Sequence, residues 1–263
     1  MRFVRRHLLT VYAILAFAYL LVPIGVVILF SFNDPAGRYN YTWQGFTLDH
    51  WRNWNGVPGL SDAMVLSIEI ALVASIVATA LGTLIALALV RYGFRGRGGT
   101  NFLIFLPMAT PEIVLGASLL TLFINVNIFL GFTTILIAHI MFCISYVVVT
   151  VKARLIGFDR SLEEAAMDLG ANEWTTFRKV TLPLIAPAIL AGALLSFALS
   201  VDDFVITYFN SGSEITFPLF VWGAARVGAP PQVNVMGTMI FVVAISLMAI
   251  NILLERRREG RPA

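Results

Sequence analysis

Four carboxylates lie inside otherwise apolar stretches of the chain: Glu69, Glu112, Asp202 and Asp203. An ionisable side chain in mid-bilayer costs roughly 2.5–3.5 kcal/mol on insertion scales, so such residues mark function by default. The same stretches carry no interior Lys or Arg. Acids without bases suit the passage of a cationic solute. Glu112 follows Pro107 and Pro111, which interrupt helical hydrogen bonding and favour an irregular segment lining a cavity. Two readings of Glu112 stand, pathway-lining or structural. Asp202 and Asp203 are adjacent, so on one helix they point about 100° apart. One then faces a pathway while the other contacts a neighbouring helix. Glu69, about a turn from the end of its stretch, reads as an interfacial carboxylate. Tyr208, Phe209 and Trp222, with Trp51 and Trp54, offer faces for cation–π contact or form an interfacial aromatic belt.

Other chemistry is poorly represented. Val151 and Arg178 precede the only two lysines, Lys152 and Lys179, so no phosphate-binding G-x-x-x-x-G-K-[ST] loop can be matched. His7, His50, His139 and the single Cys143 are dispersed, and no metal set is visible. A Ser118–His139 dyad resembles the intramembrane serine proteases, the rhomboids, but Leu119 stands where they carry glycine. A secondary transporter is a further alternative, although no internal repeat is evident.

These residues need elements to hold them. The chain has 263 residues, 59% hydrophobic and only 13% charged, with a mean hydropathy of +0.85. Soluble domains carry about 25% charge and roughly 45–50% apolar residues. A soluble enzyme and a disordered chain are both excluded. Apolar segments at 8–32, 64–90, 101–124, 132–151, 184–209 and 233–254 each approach the ~20 residues that cross a bilayer. The expectation is an all-α membrane protein, a single domain of six transmembrane helices. The first segment follows a basic start like a signal peptide, but its length and lack of a cleavage site make it a retained span. Apart from Arg38, Arg52 and Arg226, the Lys and Arg residues, 15 of 18, fall on one side of this arrangement. The positive-inside rule then places both termini in the cytoplasm. The basic ends therefore read as topology anchors, and no nucleic-acid partner is expected.

The loop 152–183 holds more charge than any other segment outside the spans. Ser161 and Glu164 have capping-box spacing. Glu163 and Glu164 suit a helix N-terminus, and Gly170 suits a positive-φ terminus. A helix of about two turns is expected, followed by a second over 172–180. Asn172 would cap that second helix, and Pro183 would end it. Tethered ends and few basic residues argue against a DNA-binding helix–turn–helix.

Glu164-Ala-Ala-x-x-x-Gly170, then nine residues, then Val180-x-Leu-Pro183, resembles the EAA loop of ABC-importer permeases of the type I (MetI-like) fold. Val180 replaces the isoleucine of that pattern. Ser31-Phe-Asn33, Trp43-Gln-Gly-Phe46, Pro111-Glu-Ile-Val114 and Leu199-Ser-Val-Asp-Asp203 extend the likeness to the permeases of spermidine/putrescine importers. This resemblance implies that Glu164, Ala165, Ala166, Gly170, Leu182 and Pro183 couple the chain to a cytoplasmic ATPase dimer that binds ATP and Mg, so this chain needs no cofactor of its own. It further implies an inner-membrane, lipid-embedded protein with a second related permease and an external solute-binding protein as partners. Glu112, Asp202, Asp203, Tyr208, Trp222 and Trp51 would serve a polyamine pathway.

Overall fold

The computed structural model describes residues 2–37 and 39–259, with side chains at 8–37, 39–246 and 249. In chain order the helices are α1 (Arg2–Phe30), α2 (Asp49–Arg52), α3 (Leu60–Arg91), α4 (Arg97–Ala109), α5 (Glu112–Asn125), α6 (Phe132–Ile156), α7 (Ser161–Asp168) and α8 (Glu173–Thr176). A π turn, Phe177–Thr181, leads into α9 (Leu182–Asp202), followed by α10 (Val205–Asn210), α11 (Phe217–Val227) and α12 (Pro231–Glu259). Helix is the expected outcome, because a peptide group in hydrocarbon must find its hydrogen bond within its own segment. Two compact units are distinguished: Asp62–Phe220, and Met1–Ser61 with Val221–Ala263.

Among the described residues, four helical stretches are long and apolar enough to cross a membrane: Leu8–Phe30, Leu60–Arg91, Phe132–Ile156 and Glu173–Asp202. The pair α4 and α5 meets the same length and hydropathy only when taken together; it is bent by 110°, the geometry of a broken span or a re-entrant loop. The expected sixth span, 233–254, falls on α12, whose described apolar part runs over Pro231–Ser246. The remainder of that span, the basic N-terminal side chains and the C-terminal tail lie outside the described side chains.

Three features correct the sequence reading. The third span is not straight, because Pro111 pushes Thr110 into extended backbone (φ −82°, ψ 133°) and the helix restarts at Glu112. Pro107, by contrast, stays inside α4. The fifth span ends at Asp202, so Asp202 and Asp203 do not share a helix; Asp203 is extended (φ −63°, ψ 121°) before α10 begins. Nor does Pro183 end the second loop helix. Leu182 N–H donates to Phe177 C=O across the wide π turn, and helix continues from Glu173 to Asp202. The π turn relieves the crowding that a proline ring imposes on the preceding α-turn.

Within the unit Asp62–Phe220, α6 is central and packs on α4, α9 and α10. Small residues permit this closeness, as in other membrane helix packings. Val147 on α6 is fully buried, with Gly82 of α3 on one side and Gly192 of α9 on the other. A Cβ at Gly82 would stand 2.7 Å from Val147 Cβ, whereas one at Gly192 would reach only van der Waals distance, 3.5 Å from Val147 Cα. In the other unit, α1 packs on α12. The loop after α1 closes on Asn33, which donates to Asn40 Oδ1 (2.6 Å) and Thr42 C=O (2.9 Å) and accepts from Gln44 N–H (2.7 Å).

Gly82→Ala is expected to destabilise the folded protein by about 1–3 kcal/mol, despite the helix-propensity gain of alanine. Gly98→Ala, with nothing within 4 Å of its Cβ, should be neutral or stabilising. Thermal unfolding in detergent checks the pair. Equal midpoints for the two variants would remove the close α3–α6 contact as a stabilising feature.

Candidate functional site

The loop between α6 and α9 displays apolar surface where a solvated loop would not. Leu169 is 90% exposed and Trp174 68% exposed, and Leu162 and Met167 also stand open. The first helix of the loop is α7, eight residues long as expected. Its start differs from the sequence reading. Asp159 Oδ1 accepts the Ser161 N–H at 3.0 Å, so Ser161 lies inside the first turn and makes no capping box with Glu164. That hydrogen bond from Ser161 holds the Asp159 carboxyl below its ordinary pKa. Gly170 takes φ +90°, and Ala171 N–H closes back on Ala166 C=O at 3.1 Å. Asn172 caps α8, its Oδ1 accepting from Thr175 N–H at 2.8 Å.

Glu164 and Ala165 are exposed, Ala166 and Leu182 are half-buried, and Gly170 and Pro183 are exposed. The neighbouring Glu163 turns inward, a placement the sequence reading missed. Arg91, at the end of α3, grips both its carboxylate oxygens, and the Thr181 hydroxyl donates to Oε1. The two side chains are 11% and 19% exposed. Arg91 also lies over the Phe158 ring at 5.5 Å, and Arg160 donates to Val90 C=O at 3.3 Å. Burial opposes ionisation of Glu163, but the bonds from Arg91 and Thr181, with the charges of Arg91 and Arg160, outweigh it and hold the carboxyl low. A carboxyl depressed in the folded state contributes stability above its unfolded pKa and loses it as pH falls through the folded value. The pair is therefore intact at neutral pH and weakens only in acid.

The acids of the spans sort into two kinds. Glu112 begins α5, directly after the bend, and is exposed. Asp202 ends α9 and is also exposed. The two carboxylates lie near enough for their charges to interact. Asp203 is sealed. Its Oδ2 accepts from Thr207 N–H and Thr207 Oγ1, both at 2.8 Å, and lies 3.2 Å from His139 Nε2. His139 and Asp203 side chains are only 3% and 6% exposed. His139 Nδ1 shares a hydrogen bond with Ser200 Oγ at 2.7 Å, and Nε2 shares one with Thr207 Oγ1 at 2.9 Å. Both nitrogens are thus occupied away from the exposed Ser118, which rules out a Ser118–His139 dyad.

Glu69 is exposed on α3, more than two turns beyond its start. Tyr208 is exposed on α10, with Phe204 and Phe209 rings 5.7 and 5.8 Å away. Trp51 and Trp222 belong to the other unit. Trp51 stacks on Phe32 at 5.2 Å and donates to Ser31 Oγ at 3.3 Å. Arg226 lies 3.7 Å over the Trp222 ring, and Trp54 is exposed.

A multi-helix membrane chain, with spans broken beside open carboxylates and a two-helix loop presenting apolar side chains, is built as a multi-pass permease subunit. Residues 78–259 match the family described as "Binding-protein-dependent transport system inner membrane component", and the chain belongs to that family. The protein is thus a multi-pass inner-membrane component. It is 40% identical over 256 residues to the spermidine/putrescine transport system permease protein PotC of Haemophilus influenzae, covering 97% of this chain and 99% of that protein. It is 42% identical over 241 residues to PotC of Escherichia coli K12, covering 91% and 90%. The putrescine transport system permease protein PotI of the same organism is 40% identical, with 86% and 83% covered. Among solved structures, a bacterial ABC transporter involved in import of alginate superposes with TM-score 0.66 at 19% identity over 95% of this chain and 96% of that one. The methionine ABC transporter MetNI gives 0.56 at 16% identity over 78% and 100%. These structures share the fold.

Asp203→Ala removes the cap of α10 and a buried partner of His139, and is expected to cost about 2–4 kcal/mol. Asp202→Ala, one residue earlier and exposed, should change stability by no more than about 0.5 kcal/mol. Detergent melts of the two variants separate them. Equal stability would mean that Asp203 does not seal the break.

Proposed function

We propose that the chain is a permease subunit of an ATP-driven importer that moves spermidine or putrescine into the cytoplasm by alternating access. The observation that carries this reading is the 40% identity to a spermidine/putrescine permease across 97% of the chain. The chemistry agrees. A polyamine is a polycation with an apolar stem, and Glu112 and Asp202 are open carboxylates beside breaks in two spans. Tyr208 adds an exposed aromatic face. Asp203, sealed against His139, supports this site from behind rather than meeting the solute.

The loop 152–183 lies on the cytoplasmic side in this reading. Its apolar side chains, Leu162, Met167, Leu169 and Trp174, dock an ATPase dimer, and exposed Glu164 and Ala165 belong to the same contact. ATP and Mg act in that partner. A second, related permease completes the pathway, and an external solute-binding protein delivers the polyamine. ATP binding closes the ATPase dimer, α7 moves with it, and the spans reorient.

Labelled spermidine uptake, competed by putrescine and by unrelated solutes, tests the substrate in a strain lacking the gene and in its plasmid-rescued counterpart. Uptake should vanish on deletion and return on rescue. In the assembled transporter, Glu112→Gln and Asp202→Asn should each lower uptake at least tenfold with normal protein levels. Unchanged uptake in both would overturn the pathway assignment. Glu164→Lys should loosen the ATPase in pull-down; full retention with normal uptake would overturn the docking assignment.

A further inference from the structure

The helix α7 carries exposed apolar residues at Leu162 and Met167, yet its one buried side chain is charged: Glu163. Its anchorage to its own chain therefore differs from ordinary packing. Three elements meet on this single carboxylate. Arg91 comes from the end of the 32-residue α3, Glu163 from α7, and Thr181 from the π turn that leads without interruption into α9. Arg160, just before α7, adds a bond to the backbone of α3 at Val90.

We propose that Glu163 is the positioning residue that couples α7 to the spans, locking it through Arg91 to α3 and through Thr181 to α9. The proposal rests on the permease reading above. A bidentate guanidinium–carboxylate pair has fixed direction and length, so it carries pushing and pulling alike. Apolar contacts are non-directional and can slide. The π turn places the Thr181 hydroxyl on the same carboxylate, so displacement of α7 reaches two spans at once. Glu164, one residue on and exposed, faces outward. Adjacent glutamates thus divide the work, one toward the partner and one toward the spans.

The test uses the transporter assembled with its own ATPase and partner permease. Spin labels at Arg95→Cys and Asp168→Cys, both exposed sites, report the separation of α7 from the chain just beyond α3; native Cys143 is buried and stays unlabelled. A single sharp distance, the same with and without ATP, is expected in the unsubstituted protein. Glu163→Gln should broaden it and lower solute uptake per ATP at least fivefold. Because a half-buried Arg91 without its partner can impair folding, a second variant replaces both partners, Arg91→Met with Glu163→Met, which removes both charges. A merely structural role predicts that the methionine pair restores both assembly and coupling. The lock predicts restored assembly with a broad distance and uptake per ATP still at least fivefold down. Coupling restored by the methionine pair, or a sharp distance in Glu163→Gln, overturns the proposal. The distance readout needs no polyamine, so failure of spermidine uptake in the unsubstituted transporter sinks the substrate assignment and leaves the lock to be judged by its own measurement.

Discussion

Hydrocarbon offers no water to a peptide group, so an interruption of helix within the membrane has to be buried in protein or line a water-filled cavity. The unit Asp62–Phe220 contains two such interruptions, at Thr110–Pro111 and at Asp203–Phe204. The second is closed by Asp203, which takes the amide and hydroxyl of Thr207. The two breaks are then tied together. Asn210 at the end of α10 donates to Gly116 C=O on α5 at 3.3 Å, and Thr134 Oγ1 donates to Asn210 C=O at 2.7 Å. Gly116 makes this approach possible, since a Cβ there would stand 2.8 Å from the Phe209 ring. With the second break closed by Asp203, the other two acids, Glu112 and Asp202, remain open beside the breaks.

The helices were legible because long apolar runs have few alternatives in a bilayer, and positive-φ Gly170 and the Asn172 cap were legible because each is a local steric or hydrogen-bonding demand. The bend at Pro111 was half visible: proline marks an interruption, but a 110° turn depends on what packs around it. The break at Asp203 carries no glycine or proline. Its only local mark is an aspartate three and four residues before Ile206 and Thr207, which is a cap pattern hidden in an apolar run. Pro183 misled in the opposite sense, because a π turn five residues long absorbs it. Local rules see a proline and cannot see the wider turn ahead of it.

The inward turn of Glu163 was illegible for a different reason. Adjacent glutamates on a short helix are equivalent by propensity, capping and dipole. What separates them is Arg91, 72 residues earlier, and Thr181, 18 residues later. Charge counting places Arg91 with the other basic residues on one side of the membrane and says nothing of a partner. An arginine at the end of a span satisfies the positive-inside rule and a buried pair equally well, so the count cannot tell one use from the other.

A buried ion pair is a poor source of stability compared with apolar packing of the same volume, and a well-attested use of such pairs is to fix position. That matches the situation of α7. Eight residues make little more than two turns. Such a helix has too little surface to bury one apolar face against its own chain and present another to a partner. With Leu162 and Met167 turned outward, an inward apolar face would leave a helix greasy all round and free to seat either way. A single inward carboxylate with one guanidinium to meet removes that ambiguity, because the opposite seating would leave Glu163 and Arg91 without each other. The ion pair sets which face α7 shows, and the exposed apolar side chains then have one direction in which to find their cover.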